Sequence, residues 1–142
     1  MSKKKCRWGI LGSAGTAQKN WQSIRNAENA ELVAVASRDI TKSQDFIDRC
    51  SAQVPQDPTP VALGSYDELL ARDDIDAIYL PLPTGLRPEW AIKVANAGKH
   101  LLCEKPCGTN LEQVDQLIAA CEQADVQFMD GVMFMHITPS IN

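Results

Sequence analysis

Short, nearly unbroken apolar runs alternate along this chain with stretches whose apolar residues recur at helical spacing. Cys6–Leu11 (CRWGIL) predicts a first strand. Thr16–Asn26 predicts a helix, with Ala17, Trp21 and Ile24 at i, i+4 and i+7 on one face. Glu31–Ala36 (ELVAVA) predicts a second strand and Thr41–Cys50 a second helix with Thr41 at its cap. Gln53–Pro60 carries three prolines and no period, so it reads as a loop. A short strand over Val61–Leu63 and a short helix over Tyr66–Ala71 follow. Ala77–Leu80 (AIYL) predicts a buried strand, Pro81–Pro88 a Pro/Gly-rich turn, and Pro88–Ala97 a helix that Gly98 ends. His100–Cys103 (HLLC) is a further strand. Asn110 caps a helix whose Val114, Leu117, Ile118 and Cys121 form one apolar stripe, and Gln127–Met133 is a last strand.

Strand–helix alternation at this spacing implies a doubly wound, mostly parallel sheet with helices on both faces, the Rossmann type of α/β fold. The unbroken apolar strands agree, because a sheet covered on both sides has no polar face to alternate with. The 142 residues suffice for one domain with a core, and 44% hydrophobic with 23% charged residues is the balance of a soluble globular protein. A net charge of −4 argues against nucleic acid or an anionic membrane as partner. Lys3-Lys4-Lys5 reads as a solubilising tail, and no apolar stretch approaches the roughly 18 residues that span a bilayer. The five cysteines (Cys6, Cys50, Cys103, Cys107, Cys121) are odd in number and form no zinc-type pairs. They read as reduced thiols in a cytoplasmic protein with no metal site.

The chemistry concentrates after the first strand, which runs into Gly12-Ser13-Ala14-Gly15-Thr16-Ala17 and opens a helix. A strand–glycine turn–helix presents free backbone N–H groups and the positive end of a helix dipole, a setting for a pyrophosphate. Gly12 permits the tight turn. Ala14 and Ala17 hold the second and third places of the G-x-G-x-x-G pattern, where a small residue lets backbone approach phosphate and helix pack on strand. Ribose preference is set after the second strand, where an acid usually holds the hydroxyls of NAD. Here stand Ala36-Ser37-Arg38-Asp39. Ser37 and Arg38 suit a 2′-phosphate, through a hydroxyl and a guanidinium, and Asp39 lies late for the ribose. NADP is the preferred cofactor by this reading, with NAD left open. Arg38 as a solvated loop residue and Asp39 as a helix N-terminal acid is the structural alternative.

The segment Ala97-Gly98-Lys99-His100-Leu101-Leu102-Cys103-Glu104-Lys105-Pro106 (AGKHLLCEKP) resembles the signature of the glucose–fructose oxidoreductase, inositol dehydrogenase and rhizopine-catabolism (Gfo/Idh/MocA) oxidoreductases, a group that includes trans-dihydrodiol dehydrogenases. Upstream, PLPTGLRPEWAI resembles the family's segment before the same helix, with Glu89-Trp90 at its Glu-Trp pair. The resemblance runs from Arg7 to about His136. It implies an NAD(P)-dependent oxidoreductase of CH–OH groups, acting on a sugar, polyol or related hydroxyl or carbonyl substrate. It implies that Lys105 lies beside nicotinamide and substrate as the catalytic group, able to stabilise an alkoxide during hydride transfer. Glu104 and Pro106 flank it, and Pro106 follows a peptide, cis or trans, that aims the lysine. Leu82, Pro83 and Thr84 would line the cofactor. The chain departs from the family at Thr84 and Arg87, where Asn and His are common.

Family members continue into a second, α+β domain that carries much of the substrate pocket and the oligomer interface. The reading here is a dinucleotide-binding domain over residues 1–136 and a tail over 137–142 at the start of the interdomain linker. His136 reads as inert. On this reading the isolated chain lacks turnover and would form an oligomer only if a second domain were supplied. A stand-alone dinucleotide-binding module and an inactive fragment are the alternatives.

Overall fold

In a computed structural model, residues 5–13, 17–103 and 110–130 are described, the last of them by its backbone only. Among the described residues six strands form one sheet: β1 (Cys6–Leu11), β2 (Ala30–Ala36), β3 (Val61–Leu63), β4 (Ala77–Leu80), β5 (His100–Cys103) and β6 (Phe128–Asp130). All neighbours pair in parallel, in the order β3-β2-β1-β4-β5-β6. The expected α/β architecture is therefore present, with the strand order of the Rossmann fold. Chain order reverses between β1 and β4, so loops leaving those two strands diverge and open a crevice at their carboxyl ends.

The helices are α1 (Ala17–Asn26), α2 (Ile40–Gln53), α3 (Tyr66–Leu70), α4 (Arg87–Asn96) and α5 (Leu111–Ala124), with a 3₁₀ turn at Thr84–Leu86. One core layer holds α1 and α2 against the sheet through Ala17, Trp21, Ile24, Phe46, Ile47 and Cys50. The other holds α3, α4 and α5 through Leu69, Ala91, Val94, Leu117 and Cys121. Trp21 anchors the first layer. It meets Phe46 edge-on with ring centroids 5.8 Å apart, and its indole N–H donates to the Val54 carbonyl at 2.6 Å. The amide of Gln56 donates to the Trp21 carbonyl at 2.9 Å, so the proline-rich loop is fastened to α1 rather than left loose. Removing such a side chain costs about 3–5 kcal/mol.

Several boundaries differ from the sequence reading. Thr41 is not the cap of α2: Asp39 is, accepting the Thr41 backbone N–H at 2.9 Å from an extended backbone. A carboxylate at that place also favours the helix dipole, which a hydroxyl does not. The helix continues to Gln53, since Ile47 and Cys50 both bury and propagation adds a bond per residue. On α5 the cap at Asn110 is as expected, its side chain accepting the Gln113 N–H at 2.9 Å. The stripe is narrower than expected, however: Leu117 and Cys121 bury while Ile118 is 40% exposed. Helix α4 starts at Arg87 and stops at Asn96, and Gly98 takes φ +78° after it, the left-handed turn glycine supplies freely. The end of the last strand to Met133, the boundary at His136, the 137–142 tail and Cys107 lie outside the described residues.

Candidate functional site

The site is built from the carboxyl ends of β1, β2 and β4. Gly12 follows β1 with φ +116°, a conformation that L side chains rarely adopt. A Cβ at this position would lie 2.9 Å from Leu82 Cδ2, the end of a side chain that can shift, so it is the backbone conformation that calls for glycine. Its N–H donates to the Ala36 carbonyl at 2.8 Å and joins the ends of β1 and β2. Ala17 opens α1 with no exposed surface, its methyl in the core. A side chain this small lets α1 stand close over β1, as the third place of the turn demands. Ala14, Gly15 and Thr16 lie outside the described residues.

After β2, Ser37 and Arg38 part company. Ser37 is 4% exposed and its hydroxyl points inward, 2.5 Å from the Asp39 carbonyl and 2.9 Å from the Ser43 hydroxyl. Ser43 in turn reaches the Leu63 carbonyl at 2.8 Å. Two protons serve these contacts, and the Ser37 proton is used within them in either arrangement. Ser37 thus shapes the loop instead of offering its hydroxyl outward. Arg38 is exposed, and the Asp39 carboxylate is engaged as the cap of α2.

These loops enclose a cavity of about 240 Å³. Gly12 and Ser13 line one end, Ser37, Arg38 and Asp39 the other, with Pro81, Leu82 and Pro83 as the wall after β4. Lys42 and Tyr66 complete it, and neither was found by sequence reasoning. Lys42 carried a signal, since it stands four residues after Arg38 at the start of a helix. Tyr66 carried none, because its place depends on α3 packing beside β2. A second groove, about 370 Å³, continues past Arg38 and Tyr66 to Leu86 and Trp90, whose ring meets Tyr66 edge-on at 5.0 Å. Thr84 begins the 3₁₀ turn and is not among the cavity's lining residues. Glu104, Lys105 and Pro106 lie outside the described residues, though β5 ends at Cys103, on the same edge of the sheet as the cavity.

Elsewhere the polar clusters are structural. Arg7 donates to both carboxylate oxygens of Asp76, at 3.1 and 3.0 Å, joining the starts of β1 and β4. Lys99 is 6% exposed, and its amine donates to the carbonyls of Arg72 and Ile75, at 2.6 and 3.0 Å. Burial lowers its pKa, against the opposing pull of Asp73, Asp74 and Asp76. Cys50 and Cys121 are buried free thiols, and burial raises the pKa of both; Cys103 is buried as well. Among the described residues no group of His, Cys, Asp and Glu could hold a metal, and no helix is long and apolar enough to cross a membrane.

A parallel sheet in this order, a glycine turn on its first strand and a cavity at the switch point define a dinucleotide-binding α/β domain. The family model of the GFO_IDH_MocA oxidoreductase family, NAD-binding Rossmann fold, matches residues 6–132, and the chain belongs to that family. An uncharacterized oxidoreductase of Rhizobium meliloti (ORF334) is 41% identical over 128 residues, which are 89% of this chain and 36% of the relative. D-xylose 1-dehydrogenase (NADP(+)) 2 of Haloferax volcanii is 39% identical over 89% of this chain and 37% of its own. Among solved structures, the 3-ketoreductase KijD10 of Actinomadura kijaniata in complex with NADP superposes with a TM-score of 0.84 at 32% identity, covering 94% of this chain and 41% of that one. The chain thus spans little more than a third of the length of the curated relatives it matches.

Proposed function

We propose that this chain is the NADP-binding domain of an oxidoreductase that interconverts a hydroxyl and a carbonyl on a sugar, polyol or related small molecule. The observation that carries the cofactor is the cavity between the Gly12 turn and the Arg38–Lys42 end. Pyrophosphate fits the first, where the chain leaves β1 through a glycine with φ +116°. A 2′-phosphate fits the second, where Arg38 and Lys42 supply two cations. The one acid there, Asp39, is held at a helix cap. Ser37 sets the loop from which Arg38 reaches. NAD would want a free carboxylate at this place.

The nicotinamide supplies or accepts the hydride when bound. The chain's part is to hold the dinucleotide through Gly12, Ser13, Ala14, Gly15, Thr16 and Ala17 at the phosphate end and Leu82, Pro83 and Thr84 along the loop after β4. Lys105, flanked by Glu104 and Pro106, donates or receives the proton at the reacting oxygen. This role is the one that the resemblance of Ala97–Pro106 (AGKHLLCEKP) to the family's signature implies. The substrate class rests on relatives that act on xylose and on a keto-sugar. The free thiols of Cys6, Cys50 and Cys121 suit a reducing cytoplasm. Titration of the chain with NADPH and with NADH, read by nicotinamide fluorescence, tests the cofactor. Tighter binding of NADPH supports the reading, and no binding of either overturns it.

A further inference from the structure

Arg87 stands at the first position of α4, where the helix dipole disfavours a cation. Its guanidinium Nε donates to the Leu82 carbonyl at 2.5 Å, closing the five-residue span between the end of β4 and the start of α4. The Leu86 N–H donates to the Pro83 carbonyl at 2.9 Å within the same span. Leu82 is 3% exposed, and its Cδ2 is the atom a Cβ on Gly12 would strike. One line of contact therefore runs from Arg87 through the Leu82 backbone and side chain to the phosphate turn, across the switch point between β4 and β1.

We infer that Arg87 is a positioning residue that fixes the phosphate turn through Leu82. A charged donor on the carbonyl holds the Leu82 backbone in one orientation. That keeps the isobutyl group against Gly12, and so holds Gly12 in place at the end of β1. Arg87 does this without touching the dinucleotide itself. The consequence for binding rests on the cofactor reading above. The consequence for the turn does not.

Two measurements on the 142-residue chain separate them. In the ligand-free chain, Arg87→Met should speed amide exchange at Gly12 by about tenfold, the loss of one charge-assisted hydrogen bond, while amides of Trp21 and Leu117 keep the parent's rates. Exchange at Gly12 equal to the parent's overturns the inference whatever the cofactor does. In NADPH titrations, Arg87→Met should weaken binding by about tenfold and Arg87→Lys, which can still donate to the carbonyl, should recover most of it. In a Leu82→Ala background the same Arg87→Met change should have little further effect, because the path is already broken. Fully additive losses overturn it. Should Arg87→Met fail to fold, Arg87→Gln against Arg87→Leu carries the same comparison, since only the first can donate. A parent that binds no dinucleotide sinks the cofactor reading, and the Gly12 exchange rate then decides the role of Arg87 alone.

Discussion

Leu82 closes over Gly12 so tightly that a Cβ on the glycine would stand 2.9 Å from Leu82 Cδ2. The backbone of Gly12 adds a second restriction, φ +116°. Gly12→Val should abolish NADPH binding while far-UV circular dichroism stays near the parent's, because the clash is confined to the turn. Gly12→Ala should already weaken binding strongly. A Gly12→Val chain that binds NADPH as the parent does would remove the phosphate assignment.

Arg38 and Lys42 flank the end of the cavity assigned to the 2′-phosphate. A hydrogen bond to a charged group contributes about 1.5–3 kcal/mol. Arg38→Ala should lose NADPH affinity by roughly tenfold or more and leave NADH nearly unchanged. Lys42→Ala should show the same selectivity with a smaller loss, as a flexible ammonium is less well aligned than a guanidinium. Equal losses for both cofactors would count against the 2′-phosphate reading.

For catalysis the expectation concerns Lys105 in a protein that includes the remaining length of its relatives. Lys105→Met should lower kcat by roughly 10²–10⁴, the range of a general acid, with little change in NADPH affinity because the phosphates are held elsewhere. Normal kcat in Lys105→Met would refute the assignment.

Lys99 governs stability, not binding. Its amine satisfies the carbonyls of Arg72 and Ile75, and Lys99→Met leaves both unpaired at a cost of about 1–3 kcal/mol. Because burial lowers the folded-state pKa below the unfolded value of 10.5, the unfolded chain binds more protons between the two. The contribution of Lys99 to stability should therefore rise with pH through that alkaline window. Denaturant midpoints of parent and Lys99→Met, compared from neutral pH toward 10, should diverge in the parent's favour. Converging midpoints would show that the ammonium is not penalised by burial.

The alternation of strands and helices was legible because each element announces its own period. Cys6–Leu11, Val61–Leu63, Ala77–Leu80 and His100–Cys103 fall where the apolar runs predict them, and Ala17, Trp21 and Ile24 bury together as their spacing requires. The need for glycine at position 12 was legible for the same local reason, since a turn between strand and helix asks for it. What a side chain faces across the sheet was not legible. Nothing near position 12 in sequence says that Leu82 fills the space above it. The run Ser37-Arg38-Asp39 allowed Asp39 at a helix start and Arg38 in solvent, but it did not say that Ser37 turns inward. Ile118 shares the helical period of Leu117 and Cys121 yet faces solvent, because period marks a face only to within one residue and the neighbouring elements decide its centre. The sequence by itself determined the elements, their order and the turn, all matters of bonds between near neighbours. The tertiary structure alone decided the cavity, the placing of Lys42 and Tyr66 in it, and the seating of Leu82 against Gly12, because these depend on strands distant in sequence lying side by side, as β1 and β4 do with some seventy residues of chain between them.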